Sequence, residues 1–427
     1  GARREAQRGA EQARRRDRTP SAGRSGTSLD ALTELLDLRP STTGRPEPGR
    51  ARLGVVAGRR GPRFLVPLDH PDATVASCLA YLGLRDVKTR LARGSVVLAL
   101  RARQTDLVAR QVLSADAGEG SLIALLADLL AEPGEEPGLA VAVGMGHRDE
   151  VWKPTLQVFR PDGSPAAFVK VGLGPVGAEL VRTEAAALAA WDAHPDPRLV
   201  TPGLVASVTW RTMPVAVVAP LPLDVHRLPA PVSAWPVRSL DGPPRRASLD
   251  GSPWWHDLRA RLGTHPVASR LVERIEARHG DRTELDWARW HGDWVSWNLA
   301  RCHRGLVAWD WEYSQPDAPV GLDEVHGAYQ RARVVQGRPI AESLDAARQS
   351  ARALGDRAPS PATVADLRSQ TATATPSATF GSPDWLADAH VAMLVGRSLD
   401  LESLAGVAPA DRDELVAAAD AAIGAAS

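Results

Sequence analysis

The sequence predicts an α+β chain in two parts, and three observations carry that expectation. Five short apolar segments, Leu139–Gly144, Thr155–Phe159, Ala166–Val171, Val205–Trp210 and Pro214–Ala219, read as strands. A helical pattern over 178–193 interrupts them after the third. From about residue 226 onward helical periodicity dominates, at His256–Arg278, Asp323–Val335, Ala341–Leu354, Ala387–Leu399 and Asp411–Ala425. A small five-stranded part over 134–225 and a mainly helical part over 226–427 follow from this pattern.

Pro161-Asp162-Gly163 supplies turn chemistry that joins the second and third strands as a hairpin. In the helix, Leu180, Val181, Glu184, Leu188 and Trp191 fall at helical spacing, so that face packs on the sheet and carries Glu184 toward Lys170 on the third strand. Glu179 is the runner-up for that pairing, although it fits a solvated carboxylate near the helix start better. Asp224–Trp255, rich in Pro, Arg and Trp, reads as a connecting loop, and Thr371–Ser382 as a polar break between helices.

Ahead of these parts, residues 1–28 hold eight arginines among Gly, Ser, Gln and Ala and read as a disordered arm. Residues 29–133 read as a separate N-terminal α/β unit, with helices at Leu29–Leu38, Ala73–Leu82 and Ser121–Leu130 and a strand at Arg63–Leu68. The 427 residues are 44% hydrophobic, enough for two or three buried cores. A formal net charge of zero argues against a dedicated nucleic-acid surface. No apolar run reaches membrane-spanning length, and no apolar stretch follows the N-terminal arginines as a secretory signal requires. Cys78 and Cys302 do not make a disulfide framework, and the expected compartment is the cytoplasm.

The stretch Trp290–Glu312 carries the chemistry. His291-Gly292-Asp293 is followed five residues later by Asn298, and twelve residues after that by Asp310-Trp311-Glu312. An Asp on a loop can orient an attacking hydroxyl and accept its proton, while an Asn and a second Asp supply oxygen ligands for Mg2+ bridging the phosphates of ATP. Lys170 is one of only three lysines, with Lys88 and Lys153, among 51 lysines and arginines. A compact ammonium fits between phosphates where a planar guanidinium fits poorly. Trp287, Trp290, Trp294, Trp297, Trp309 and Trp311 crowd the same region. Most are expected in the core, with Trp294 and Trp297, on the loop itself, as candidate acceptor contacts.

The pattern H-G-D-x-x-x-x-N followed by D-W-E resembles the aminoglycoside phosphotransferase family, which also takes in choline, homoserine, fructosamine, methylthioribose and maltose kinases. The resemblance implies a bilobal protein-kinase-like fold, ATP and Mg2+ as cofactors, and a small-molecule hydroxyl as acceptor. It gives Asp293 the catalytic role, Lys170 and Glu184 the phosphates, and Asn298 and Asp310 the metal. Gly144 and Gly146, in Gly144-Met145-Gly146-His147-Arg148, take the place of the phosphate-covering loop, although G-x-G-x-x-G is absent. Lys153 follows that turn as a phosphate contact or a solvated lysine. His291 would buttress the loop, Glu312 would hold a metal-bound water or anchor its own turn, and Asp323 would tie the loop in place.

Pro220–Leu223 reads as the hinge whose backbone bonds the base. Val295 and Trp297 stand where the family commonly has His and Gly. The N-terminal unit is similar in size to the caps of maltokinases. A sugar, sugar-like alcohol or aminoglycoside is the acceptor class implied. The alternative is a kinase-like protein that binds nucleotide or metabolite without catalysis, against which the intact Lys170, Asp293, Asn298 and Asp310 argue. A protein kinase is disfavoured by HGD in place of HRD and by the lack of A-P-E after Asp310.

Overall fold

The computed structural model describes residues 28–41, 46–58, 61–102, 109–132, 138–145, 151–195, 199–228, 245–280, 284–355 and 382–424. The arginine-rich arm up to residue 27, Gly146, and the polar break over 371–381 lie outside the described residues.

The N-terminal segment comprises α1 (Ser28–Leu36), β1 (Arg39–Pro40), β2 (Arg50–Gly58), β3 (Gly61–Pro67), α2 (Pro71–Leu79), α3 (Val87–Arg101), β4 (Ala109–Asp116) and α4 (Leu122–Leu129). Next come β5 (Ala140–Gly144), β6 (Thr155–Phe159), β7 (Pro165–Val171), α5 (Gly174–Ala193), β8 (Leu199–Val200), β9 (Leu204–Trp210) and β10 (Met213–Val218). The five expected strands are present, in the order β5-β6-β7-β10-β9. They do not stand alone, since strands from residues 29–133 continue their sheet. β3 pairs antiparallel with β5, Phe64 opposite Gly144 and Leu65 opposite Val143. The result is one nine-stranded sheet, β1-β4-β2-β3-β5-β6-β7-β10-β9. The reason is an edge problem: Ala140, Val141, Ala142 and Val143 are all buried, and an apolar strand with an open edge invites pairing. β3 fills that place.

One face of this sheet is covered by α1 and α4 through Leu32, Leu36, Leu122 and Leu126, which meet Val141, Val143, Val158 and Val169. The other face looks into the cleft, where α2 and the second half of the chain meet it. That half holds β11 (His226–Arg227), β12 (Arg245–Ser248), α6 (Pro253–Leu262), α7 (Pro266–His279), β13 (Glu284–Trp290), β14 (Leu299–Cys302), β15 (Gly305–Ala308), β16 (Gln315–Pro319), α8 (Leu322–Gln330), α9 (Ile340–Gly355), α10 (Pro383–Ala405) and α11 (Arg412–Gly424). The single helix expected over 256–278 is two. Pro266 has no N–H to continue α6 and instead opens α7, where that donor would be unpaired anyway. Trp254, Trp255, Trp287 and Trp385 pack in the helical core with Leu258, Leu271 and Ile340. Among the described residues no helix is long and apolar enough to cross a membrane.

Candidate functional site

Side chains alternate along a strand, so β7 sends Val169 and Val171 into the core and turns Phe168 and Lys170 toward the cleft. α5 buries Val181, Glu184, Leu188 and Trp191. The strand and helix bring Lys170 Nζ to 2.7 Å from Glu184 Oε1 and 2.6 Å from Oε2. The same ammonium meets Asp310 Oδ1 from the second half of the chain. Lys170 is 6% exposed and Glu184 1%, whereas the Asp310 side chain keeps 38%, at the bottom of a cleft that solvent reaches. Lys153 Nζ joins from β6's approach, 2.6 Å from Glu312 Oε2. The carboxylates of Glu184, Asp310 and Glu312 lie within 4.8 Å of one another. Burial opposes the Lys170 ammonium, but Asp310, Glu184 and Glu312 together outweigh it and hold the lysine charged. Burial also pushes the Asp310 carboxyl up, and Lys170 more than offsets it, leaving Asp310 lowered and ionised.

Across the cleft, the loop between β13 and β14 is held by its backbone. Asp323, in the first turn of α8, accepts from the His291 N–H at 2.7 Å and the Gly292 N–H at 2.9 Å. Gly292 has φ +86°, and a Cβ there would overlap the Tyr313 carbonyl, so only glycine fits. The His291 ring is placed by two bonds whose roles settle its tautomer. Nε2–H donates to the Trp309 carbonyl at 3.0 Å, and bare Nδ1 accepts from the Asp293 N–H at 3.2 Å. Burial lowers His291 to about 4, consistent with a neutral ring. Burial raises Asp293, and burial raises Asp323 to about 7 against the two N–H donors.

Asn298 Nδ2 donates to the Asp293 carbonyl at 3.1 Å and to its Oδ2 at 2.8 Å, leaving Asn298 Oδ1 for another partner. Asp310 has φ +63°, a conformation that costs a non-glycine residue energy and that recurs where function over-determines the backbone.

Of the residues singled out in the sequence, Lys170, Glu184, Asp310, Glu312 and Lys153 form one cluster, and His291, Asp293, Asn298 and Asp323 a second beside it. Gly144 ends β5 exposed, and Gly146 lies outside the described residues. Glu179 pairs with Arg182 at 3.5 Å on the exposed face of α5, as expected of a solvated carboxylate. The expectation for Trp294 as an acceptor contact is corrected: it is 3% exposed and packs with Trp191, Leu299 and Trp311. Trp297 is 43% exposed and free to meet a ligand.

Sequence reasoning missed the second row behind Asp293. His326 Nε2 lies 3.6 Å from Asp293 Oδ1, its Nδ1 lies 3.3 Å from His390 Nε2, and burial holds both rings neutral. The signal was there, since Asp323, His326, Gly327 and Gln330 share one helical face. Gly327 permits the close approach, for a Cβ would come within 2.8 Å of the Trp294 carbonyl.

No protein-family model and no curated protein matches the sequence. Several solved structures do. A thermostable mutant of aminoglycoside phosphotransferase APH(4)-Ia, in ternary complex with ADP and hygromycin B, is 10% identical over 72% of this chain and 99% of that one, with a TM-score of 0.43. A glucosamine kinase is 15% identical over 95% and 97%, with a TM-score of 0.35. A putative fructosamine-3-kinase from Haemophilus somnus is 9% identical over 70% and 96%, with a TM-score of 0.36. At these scores the likenesses carry no weight for function, which rests on this chain's own residues.

Proposed function

We propose that the protein is a phosphotransferase that moves the terminal phosphoryl group of ATP to a hydroxyl of a small molecule, with magnesium. The observation that supports this most is the convergence of Lys170, paired with Glu184 and Asp310, with Asp293 and Asn298, which are bonded to each other on the loop between β13 and β14. Asp293 orients the acceptor hydroxyl and takes its proton as the oxygen bonds to phosphorus. The bond from phosphorus to the bridging oxygen breaks, and ADP leaves with that electron pair. Lys170, on which three carboxylates converge, exchanges part of that pairing for phosphate oxygens.

Asn298 Oδ1 and Asp310 are hard oxygen donors of the kind Mg2+ takes, and the Asn298 amide nitrogen is already engaged in the orientation this needs. When bound, the ion neutralises phosphate charge. Positioning and charge neutralisation, with no covalent enzyme intermediate, lower the barrier. Exposed Trp297 on the loop suits an acceptor with a ring face, which favours a sugar, a sugar-like alcohol or an aminoglycoside. Two buried free cysteines, Cys78 and Cys302, suit the reducing cytoplasm.

The test is incubation of the chain with labelled ATP, magnesium and a fractionated metabolite extract, beside Asp293→Asn and Asp310→Ala. Label should pass to a small molecule and fall by about 10²–10⁴-fold in Asp293→Asn. Transfer that survives both substitutions would contradict the assignment.

A further inference from the structure

If phosphates sit at Lys170 and Asp310, the base of the nucleotide has to lie against an apolar wall within the reach of one ribose. The cleft face of the sheet offers that wall beside Lys170. Phe168 is two residues earlier on the same face, flanked by Ala140, Ala142 and Phe159. Leu221 of the connecting segment and Ala300 and Val307, from the hairpin after Asn298, belong to the same buried cluster. This slot is filled by the chain itself. Ala73, in the first turn of α2, and Ala80 and Tyr81, just after its end, belong to the same buried cluster.

Tyr81 is the tip of this plug. It is 5% exposed, its ring centroid is 5.4 Å from that of Phe168, and its hydroxyl donates to the Leu221 carbonyl at 3.2 Å. That carbonyl is the kind of backbone acceptor an exocyclic amino group of a purine needs. Pro220 and Pro222, on either side, bring no N–H, so polar groups are scarce on this segment and Tyr81 takes one of them. The turn after Tyr81 presses on the same segment, since a Cβ on Gly83 would overlap the Val225 carbonyl. Tyr81 has φ +56°, a strained conformation for a bulky residue. A short 3-10 turn over Leu82–Leu84 follows it.

We propose that residues 80–84 form an autoinhibitory strap, in which Tyr81 competes with the nucleotide base for the apolar slot and for the Leu221 carbonyl, and which must swing out for ATP to bind. The proposal rests on the kinase reading above. It gives the N-terminal unit a task, coupling whatever acts on that unit to nucleotide access, and the strained Tyr81 backbone makes release easier than the burial alone would imply.

Two measurements on the full chain test it. The first is calorimetric titration with ATP and magnesium of the wild type, Tyr81→Phe and Tyr81→Ala. Removing the hydroxyl should tighten binding roughly threefold, the worth of one hydrogen bond, and removing the ring should tighten it roughly tenfold or more. The second is hydrogen exchange of the wild-type amides of residues 80–84, which should speed up when ATP is added; it decides the matter even where Tyr81→Ala does not fold.

Weaker or unchanged binding in Tyr81→Ala, or protection of residues 80–84 by ATP, overturns the strap and makes Tyr81 a wall of the site, with the kinase reading intact. Binding by Tyr81→Ala alone supports the strap in its strongest form. ATP binding by none of the three proteins overturns both.

Discussion

On the sheet side of the cleft, Lys170 and Lys153 meet Glu184, Asp310 and Glu312 as charges against charges, whereas behind Asp293 the rings of His291, His326 and His390 are neutral and held by backbone groups and by one another. Both regions are buried, yet burial acts on them differently. Where opposite charges meet, as at Lys170 and Asp310, ionisation survives burial, although burial still pushes the Glu184 and Glu312 carboxyls up. Behind Asp293 burial is reinforced by the Arg397 guanidinium, which also disfavours a positive charge on His326 and His390, and those rings stay neutral. The charged region is the one whose partners phosphates and a cation can replace. The neutral region fixes the shape of a loop.

Breaking the charged region should have the largest effect. Lys170→Ala strands Glu184 in the interior, and the loss of one partner from a buried pair costs about 3–5 kcal/mol. Adding Glu184→Gln should recover much of it, as denaturant midpoints would report. An unchanged midpoint in Lys170→Ala would mean that Glu184 is not held as a charge.

The loop's shape is the next target. Gly292→Ala combines a left-handed backbone with overlap at the Tyr313 carbonyl, and should cost at least about 2 kcal/mol and lower turnover together. A variant with wild-type stability and activity would show that the loop tolerates another path.

Titration sharpens the contrast further. Asp323, raised from 3.8 to about 7, favours the fold fully below 3.8 and loses that contribution as pH rises through 7. His291, lowered from 6.5 to about 4, works the other way: its contribution is full above 6.5 and is lost as pH falls toward 4. The two slopes oppose each other between about pH 4 and 6.5. Asp323→Asn removes one of them, so the variant's Tm should climb with pH over that window more steeply than the wild type's. Parallel profiles would rule out Asp323 as the opposing group.

The smallest effect on stability belongs to Trp297→Ala, within about 0.5 kcal/mol at an exposed position, with a rise in acceptor KM as the readout. An unchanged KM would remove Trp297 from the acceptor site.

Much of this was legible in the sequence because the relevant signals are local. The H-G-D…N…D-W-E spacing lies within 22 residues, and the Lys170–Glu184 pair needs only a strand followed by a helix of the right phase. What stayed hidden depends on contacts distant in sequence. Lys153 meets Glu312, and Tyr81 meets Leu221, across intervals that no periodicity encodes. β2 and β4 went unread, since Arg50–Gly58 and Ala109–Asp116 mix polar and apolar residues without clean alternation, and they become strands by pairing with each other. The continuity of the sheet through β3 and β5 likewise shows only in the burial of both faces of β5. Trp294 misled because a loop position in sequence need not be an exposed one in space.

We read the cluster around Lys170 and Asp310 as a site for nucleotide phosphates and a divalent cation. Its most direct test is calorimetric titration of ATP into wild type and Asp310→Ala, each with and without magnesium. Wild-type binding should strengthen with magnesium, and Asp310→Ala should bind at least tenfold more weakly and lose the magnesium dependence. Wild-type binding indifferent both to magnesium and to the loss of Asp310 would contradict it.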